Sequence, residues 1–293
     1  MSDYVGRFAP TPSGLLHFGS LTSAVASWLD ARAHGGQWYV RIEDIDPPRC
    51  PPDNAPHILE QLHAFGLEWD RPPSWQHQHG ARYQKALDLL VEKGLAYPCT
   101  CSRKEWREHT VYPGWCRNGP RHPERAKAWR FNTSRVPGTI EWCDRRLGHQ
   151  HWQLSSLGDV VLKRRDGLWA YQLAVVVDDA FEGVTDVVRG ADLLDNTPWQ
   201  FALYRALEKT PPRTLHLPLM VASNGQKLSK QNLAPALMTD DIAVRQLLHR
   251  ALISLNQAPV PSLQNAPVRH QLDAALERWS PDRLPGQDII LES

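Results

Sequence analysis

Apolar residues recur along this chain with two different periods. Leu21, Val25, Trp28 and Leu29 repeat at helical spacing, as do Ile58, Leu59, Leu62 and Phe65, and then Tyr83, Leu87, Leu90 and Val91, the last set closed by Gly94. Shorter apolar stretches at 4–8 and 37–42 predict strands, the first passing through a tight turn into a helix that begins near Ser20. Residues 129–131, 139–142 and 160–164 predict short strands around turns at Pro137-Gly138 and Asp166-Gly167. The run Y-Q-L-A-V-V-V at 171–177 is almost continuously apolar, the texture of a strand buried on both faces, and predicts a central strand. Thr197, Pro198 and Gln200 read as N-cap, first-turn proline and capping-box partner of a helix through Phe201, Tyr204 and Leu207. A further strand is expected at 214–221, a polar loop at 223–233, and a last helical stretch around 272–279.

Strands interleaved with helices predict an α/β fold. Two halves of a nucleotide-binding sheet, at 1–95 and 169–235, flank an inserted α+β segment at 96–168, and a helical region follows at 236–293. No repeat and no low-complexity tract is present, which argues against a solenoid or a disordered chain. A hydrophobic content of 42% and a charged content of 22% are those of a soluble globular protein. The start M-S-D-Y-V-G-R carries no basic and apolar leader, so a cytoplasmic home without membrane attachment is expected. With 33 Lys and Arg against 32 Asp and Glu, the net charge of +1 excludes a general polyanion binder; any RNA contact must come from a local basic face.

Three stretches carry candidate chemistry. Between the first strand and helix, Gly14 and Gly19 let backbone amides approach a bound group, His17 is placed to bond a phosphate oxygen, and a helix start turns its positive end toward an anion. Glu43 ends the second predicted strand, where parallel sheets bind ligands. Cys99, Cys101 and Cys116 fall within 18 positions in a segment poor in apolar residues, which suits a small zinc site; His109, Tyr112 and His122 are each within reach as a fourth ligand. Cys50 and Cys143 stand alone, and five unevenly spaced cysteines do not make a disulfide framework.

The wording R-F-A-P-T-P-S-G-x-L-H-F-G-S at 7–20 resembles the first signature of class I aminoacyl-tRNA synthetases, in the form used by the glutamyl and glutaminyl branch. K-L-S-K-Q at 227–231 resembles the second. R-I-E-D-I-D at 41–46, A-V-V-V-D-D-A at 174–180 and R-G-A-D-L-L-D-N-T-P at 189–198 extend the likeness over roughly the first 240 residues. Two departures stand out. Ala191 and Leu193 replace an acid and a histidine of the branch's R-G-E-D-H-L, and Gln231 replaces a serine in the lysine signature.

The resemblance implies a Rossmann-like catalytic domain and adenylate-forming ligase chemistry with ATP and Mg²⁺. It implies a glutamate pocket of Arg7, Phe8, Ala9, Pro10, Thr11, Glu43, Tyr171 and Arg189, and ATP contacts from His17, Gly19 and Lys230, with His17, Lys227 and Lys230 catalytic. It also implies one structural zinc held by Cys99, Cys101, Tyr112 and Cys116. Only the residues from 234 to 293 follow Leu233, too few for the helical anticodon-binding region of a full glutamyl-tRNA synthetase. The resemblance of such a core, with a three-cysteine loop and no anticodon-binding region, further implies that the acceptor is the cyclopentene ring of queuosine in the anticodon of tRNA(Asp); a monomer is expected. Trp115, Arg117, Arg121, Arg125, Arg145 and Arg146 are candidates for RNA contact. The competing expectations are a truncated enzyme charging a tRNA 3′ end and a noncatalytic RNA-binding relative.

Overall fold

The computed structural model describes residues 3–222, 235–257 and 261–291. The elements run β1 (Val5–Phe8), α1 (Phe18–Ala33), β2 (Gln37–Ile42), α2 (Asn54–Ala64), β3 (Ser74–Trp75), α3 (Gly80–Glu92), β4 (Ala96–Cys99), β5 (Ala128–Phe131), β6 (Thr139–Asp144), β7 (Gly148–Gln153), α4 (Leu154–Leu157) and β8 (Val161–Lys163). They continue with α5 (Tyr171–Glu182), β9 (Asp186–Gly190), α6 (Thr197–Ala206), β10 (Arg213–Leu217), β11 (Met220–Ala222), α7 (Asp241–Ser254), α8 (Val268–Leu276) and β12 (Ile289–Leu291).

The main sheet has the order β3-β2-β1-β9-β10-β6-β7 and is parallel except for the terminal β6-β7 hairpin. Strand order reverses on either side of β1, between β2 and β9. Ligands of doubly wound sheets bind in the crevice at the carboxyl ends of such a pair. A separate three-stranded antiparallel sheet, β4-β5-β8, carries the cysteine segment, so residues 96–168 contribute to two sheets.

Side chains alternate across the parallel strands, as a period of two requires. Tyr4, Phe8, Trp38, Val40 and Ile42 join α1, α2, α7 and α8 in one apolar core. Arg7 and Arg41 point to the opposite face, where α5 supplies acids. A second core gathers α3, α5 and α6 with the β6-β7 hairpin. Asp30, fully buried in α1, accepts from Arg145 (2.9 Å) and Trp279 (2.8 Å), tying the hairpin and the C-terminal part to the first helix. Among the described residues no helix is long and apolar enough to cross a membrane.

Four expectations are corrected. The apolar run at 171–177 is the first part of helix α5, ended by Gly183 in the left-handed conformation at φ 71°. Helix α1 begins at Phe18 with His17 as its N-cap, a half-turn before Ser20. Asn196 is the N-cap of α6, Thr197 its first residue, and Gln200 bonds Gln172 at 3.0 Å instead of closing a capping box. The strand expected at 214–221 breaks at Pro218, which has no N–H to give; β10 stays in the main sheet and β11 pairs with β12.

Candidate active site

At the reversal of strand order lies a cavity of about 600 Å³. It gathers Arg7, Phe8, Ala9, Pro10 and Thr11 from the end of β1, His17 and Gly19 from the start of α1, Glu43 beyond β2, Tyr171 at the start of α5 and Arg189 from β9. Every described residue that the sequence assigned to glutamate or ATP therefore faces one space. Glu43 N–H donates to the Pro10 carbonyl at 3.0 Å, which locks the two strand ends together.

The two arginines of the pocket are held differently. Arg7 is buried and forks onto Asp179 through Nε (3.1 Å) and NH2 (3.4 Å), so much of its charge is already offset. Arg41, fully buried, shares Asp179 (2.7 Å), reaches Glu182 (2.8 Å), and lies 3.6 Å from Glu43. Arg189 donates to the Tyr171 hydroxyl (3.3 Å), the Thr197 hydroxyl (2.8 Å) and His216 Nε2 (3.2 Å), all of them neutral acceptors. Either arginine could in principle offer a bidentate fork to a substrate carboxylate opposite Glu43. Arg7 has spent that fork on Asp179, whereas Arg189 keeps its charge.

Burial pushes the Glu43 carboxyl up to about 7, against the pull of Arg41 and Arg7. One Glu43 oxygen is buried without a hydrogen-bond partner. A buried acid beside a cavity with an acceptor left unfilled is a receptor for a cation, because an ammonium group adds the hydrogen-bond donor that Arg41, 3.6 Å away, does not give.

The other end of the cavity is polar and suits an anion. His17, Gly19, Ser20, Thr22 and Ser23 line it, all at the start of the 16-residue helix α1, where backbone N–H groups and the positive end of the helix dipole converge. Ala191 and Leu193 occupy the turn after β9; an added Cβ at Gly190 would lie 2.5 Å from Asp192 Oδ1, so that turn is tightly folded. Lys227 and Lys230 fall outside the described residues. Both flanks of their segment meet the first signature: Met220 lines the cavity, and Leu237 N–H donates to the Leu16 carbonyl at 3.0 Å. Gln61 bridges the same two strands of chain, accepting from Leu16 N–H (2.9 Å) and donating to the Leu237 carbonyl (3.1 Å).

Cys99, Cys101 and Cys116 are buried with their sulfurs within 4.8 Å of one another. The Tyr112 hydroxyl stands 3.3 Å from Cys99 Sγ and 3.5 Å from Cys101 Sγ. His122 is turned to Glu105 (2.6 Å) and His109 meets Trp115 edge to face; neither belongs to the cluster. The donor set fits a zinc ion. Three thiolates around Zn²⁺ carry one net negative charge, and the buried Arg130 guanidinium donates to Cys99 Sγ at 3.3 Å, where it offsets that charge. Burial opposes ionisation of Cys116, yet N–H bonding from Arg121, the Tyr112 hydroxyl and Thr100 brings its thiol down to about 6.

The candidate RNA contacts divide in two. Arg117 forks onto buried Asp159 (2.7 and 2.9 Å), Arg145 onto Asp30, and Arg146 caps the carbonyls of His216, Pro285 and Gly286. These three hold the fold. Trp115 and Arg121 remain as an exposed stacked pair, 4.5 Å from guanidinium carbon to ring centroid, and exposed Arg125 is bound to Glu105 at 3.2 Å.

Sequence reasoning did not single out Arg41, Asp144 or His216 as site residues. Asp178 and Asp179 were visible in A-V-V-V-D-D-A, but with 171–177 taken as a strand they sat beyond its end. Read as a helix, 178, 179 and 182 fall on one face and meet both arginines.

A doubly wound sheet with a helix start at its crevice and a charged cavity lined by Arg7, Glu43 and Arg189 suits a nucleotide-dependent amino-acid-activating domain. Residues 4–256 match the family described as tRNA synthetases class I (E and Q), catalytic domain, and the chain belongs to that family. Over 261 residues it is 54% identical to a glutamyl-Q tRNA(Asp) synthetase of Leptothrix cholodnii, covering 81% of this chain and 85% of that one. It is 48% identical over 295 residues to the protein of the same name in Pseudomonas entomophila, covering 100% and 98%. The glutamate-tRNA synthetase of Elizabethkingia anophelis shares the fold, with a TM-score of 0.84 at 20% identity over 99% of this chain and 68% of that one.

Proposed function

We propose that this chain activates L-glutamate with ATP and transfers the glutamyl group to the cyclopentene ring of queuosine in the anticodon of tRNA(Asp). The observation that carries the reading is the one cavity in which a buried acid, an arginine that pairs with no carboxylate among the described residues and a helix N-terminus face one another. An amino acid with two carboxylates and one ammonium needs those three partners. Its ammonium goes to Glu43 and its side-chain carboxylate to Arg189, with Arg7 and Tyr171 alongside. That leaves the α-carboxylate toward His17 and Gly19, where the ATP phosphates lie.

An α-carboxylate oxygen bonds the ATP α-phosphorus while the bond to the β-phosphate oxygen breaks, releasing pyrophosphate and leaving glutamyl-adenylate. Mg²⁺ arriving with ATP offsets phosphate charge. A queuosine hydroxyl then attacks the activated carbonyl, loses its proton and expels AMP, giving an ester. The chain supplies position and fixed charge, with no covalent protein intermediate. Lys227 and Lys230 stabilise charge on the departing pyrophosphate. One zinc ion held by Cys99, Cys101, Cys116 and Tyr112 keeps the segment that presents Trp115 and Arg121 in shape, where they give stacking and phosphate contact to the RNA.

Labelled glutamate offered with ATP and three purified RNAs tests the reading. Label should appear on tRNA(Asp) bearing queuosine, and neither on tRNA(Asp) without it nor on tRNA(Glu). Label confined to the 3′ end of tRNA(Glu) identifies a charging enzyme instead, and label on no RNA contradicts the reading.

Glu43 also sets a pH dependence. Its folded carboxyl titrates at about 7, and binding an ammonium requires the ionised form, so below that pH binding must expel a proton. Glutamate affinity should therefore be flat in mild alkali and weaken by up to about tenfold per pH unit below neutrality. Calorimetric titration across that range checks it, with Glu43→Gln expected to bind weakly at every pH. A wild-type affinity independent of pH would remove Glu43 from ammonium recognition.

A further inference from the structure

Among the described residues, Arg189 differs from the other buried arginines of this site in having no carboxylate on it. Three of its N–H donors are taken by Tyr171, Thr197 and His216, while Arg7 and Arg41 bind carboxylates directly. A fixed anion stands one residue back, behind His216. His216, fully buried on β10, turns Nδ1 to Asp144 Oδ2 at 2.6 Å, and Asp144 also accepts from the Thr214 hydroxyl (2.8 Å), Leu147 N–H (3.0 Å) and Arg146 N–H (3.1 Å). The register of β10 on β6, Thr214 beside Asp144, places the acid behind the histidine.

This arrangement fixes the imidazole. A carboxylate on Nδ1 can only accept, so the proton sits on Nδ1 and the Nε2 lone pair faces Arg189 Nε–H, which can only donate. Burial and the neighbouring Arg189 push His216 toward its neutral form. Burial works against the Asp144 carboxylate, but bonding from His216 and the backbone holds its carboxyl at about 2.

We propose that His216, its tautomer set by Asp144, is a positioning residue for acidic-substrate recognition: it orients the Arg189 guanidinium through a neutral acceptor and so leaves the arginine's charge for the substrate carboxylate. The inference rests on the glutamate-activating reading and extends it to residues that never touch the substrate. A carboxylate in place of the imidazole would orient Arg189 equally well and cancel the charge needed for binding. Asp144 instead acts at one remove.

The test compares His216→Leu, which removes the acceptor, with His216→Gln, whose side-chain carbonyl can restore one to Arg189. KM values for glutamate and ATP are measured in the transfer assay, glutamate affinity by calorimetry, and folding by urea unfolding. His216→Leu should raise the glutamate KM by about 10- to 100-fold, as expected for a lost hydrogen bond to a charged group, while leaving the ATP KM unchanged. His216→Gln should recover most of that loss. If the leucine variant does not fold, Thr197→Val, which removes the acceptor beside His216 on the same Nε–Nη2 edge of the guanidinium, should raise the glutamate KM alone. An unchanged glutamate KM, or equal impairment in the Leu and Gln variants, overturns the proposal. Wild-type protein that binds glutamate in the same experiment shows that such a failure belongs to this inference and not to the functional reading.

Discussion

Replacing Arg41 with alanine is expected to lower folding stability by about 3–5 kcal/mol, the size found when one partner of a buried ion pair is removed. Arg41 is fully buried and stands among Asp179 (2.7 Å), Glu182 (2.8 Å), Glu43 (3.6 Å) and Asp178 (3.9 Å). Arg71 and Arg82 reach the outer edge of this group, each 3.2 Å from its acid, but both are part-exposed and neither can replace a charge at the centre. Without Arg41 the inner acids remain desolvated with too few cations. Arg41 is also the strongest influence holding the Glu43 carboxyl down against burial. The variant should therefore move the loss of glutamate binding to higher pH as well as lowering the urea midpoint. A stability change within about 0.5 kcal/mol, as at an ordinary surface site, would contradict this reading of the cluster.

Removing the metal should have the second large effect. The apolar support around the three sulfurs is small: Tyr97, Tyr112 and the part-buried Trp106. Residues 100–127 hold little regular structure beyond one short 3₁₀ turn at Arg103–Trp106. Structural zinc contributes on the order of 10 kcal/mol to folding in isolated zinc-finger peptides, far more than this cluster can supply by burial. Chelation, or Cys116→Ser, should open the segment to proteolysis and abolish transfer to tRNA, while glutamate binding in the crevice persists. One zinc per chain is expected by elemental analysis. A zinc-free protein whose segment resists protease would contradict the assignment.

The parallel half of the fold could be read from the chain because its signals are local. β1, β2, α2 and α3 follow from period and stop residues, and the crevice residues follow from sitting at strand ends. Helix α5 could not be read in the same way. Leu173, Ala174, Val175 and Val176 are all buried, so the helix has no polar stripe through its apolar half and a seven-residue window shows no period. The signal lay further on: a run extended to Glu182 is twelve residues long, stops at a glycine and spaces its acids for one face. Missing that, the sequence reading had no reason to join Arg7 and Arg41 to Asp179. His216 is less accessible still, since its role depends on β10 pairing with a strand some 70 positions away.

The central claim is that one crevice holds the amino acid between Glu43 and Arg189 and the nucleotide at the start of α1. A crystal structure with a nonreactive glutamyl-adenylate analogue tests it most directly. The expected result places the ligand ammonium on Glu43, its side-chain carboxylate on Arg189 and the phosphate mimic at His17 and Gly19, each at hydrogen-bond distance, about 3 Å. An analogue bound elsewhere, or with its carboxylate turned away from Arg189, would contradict it.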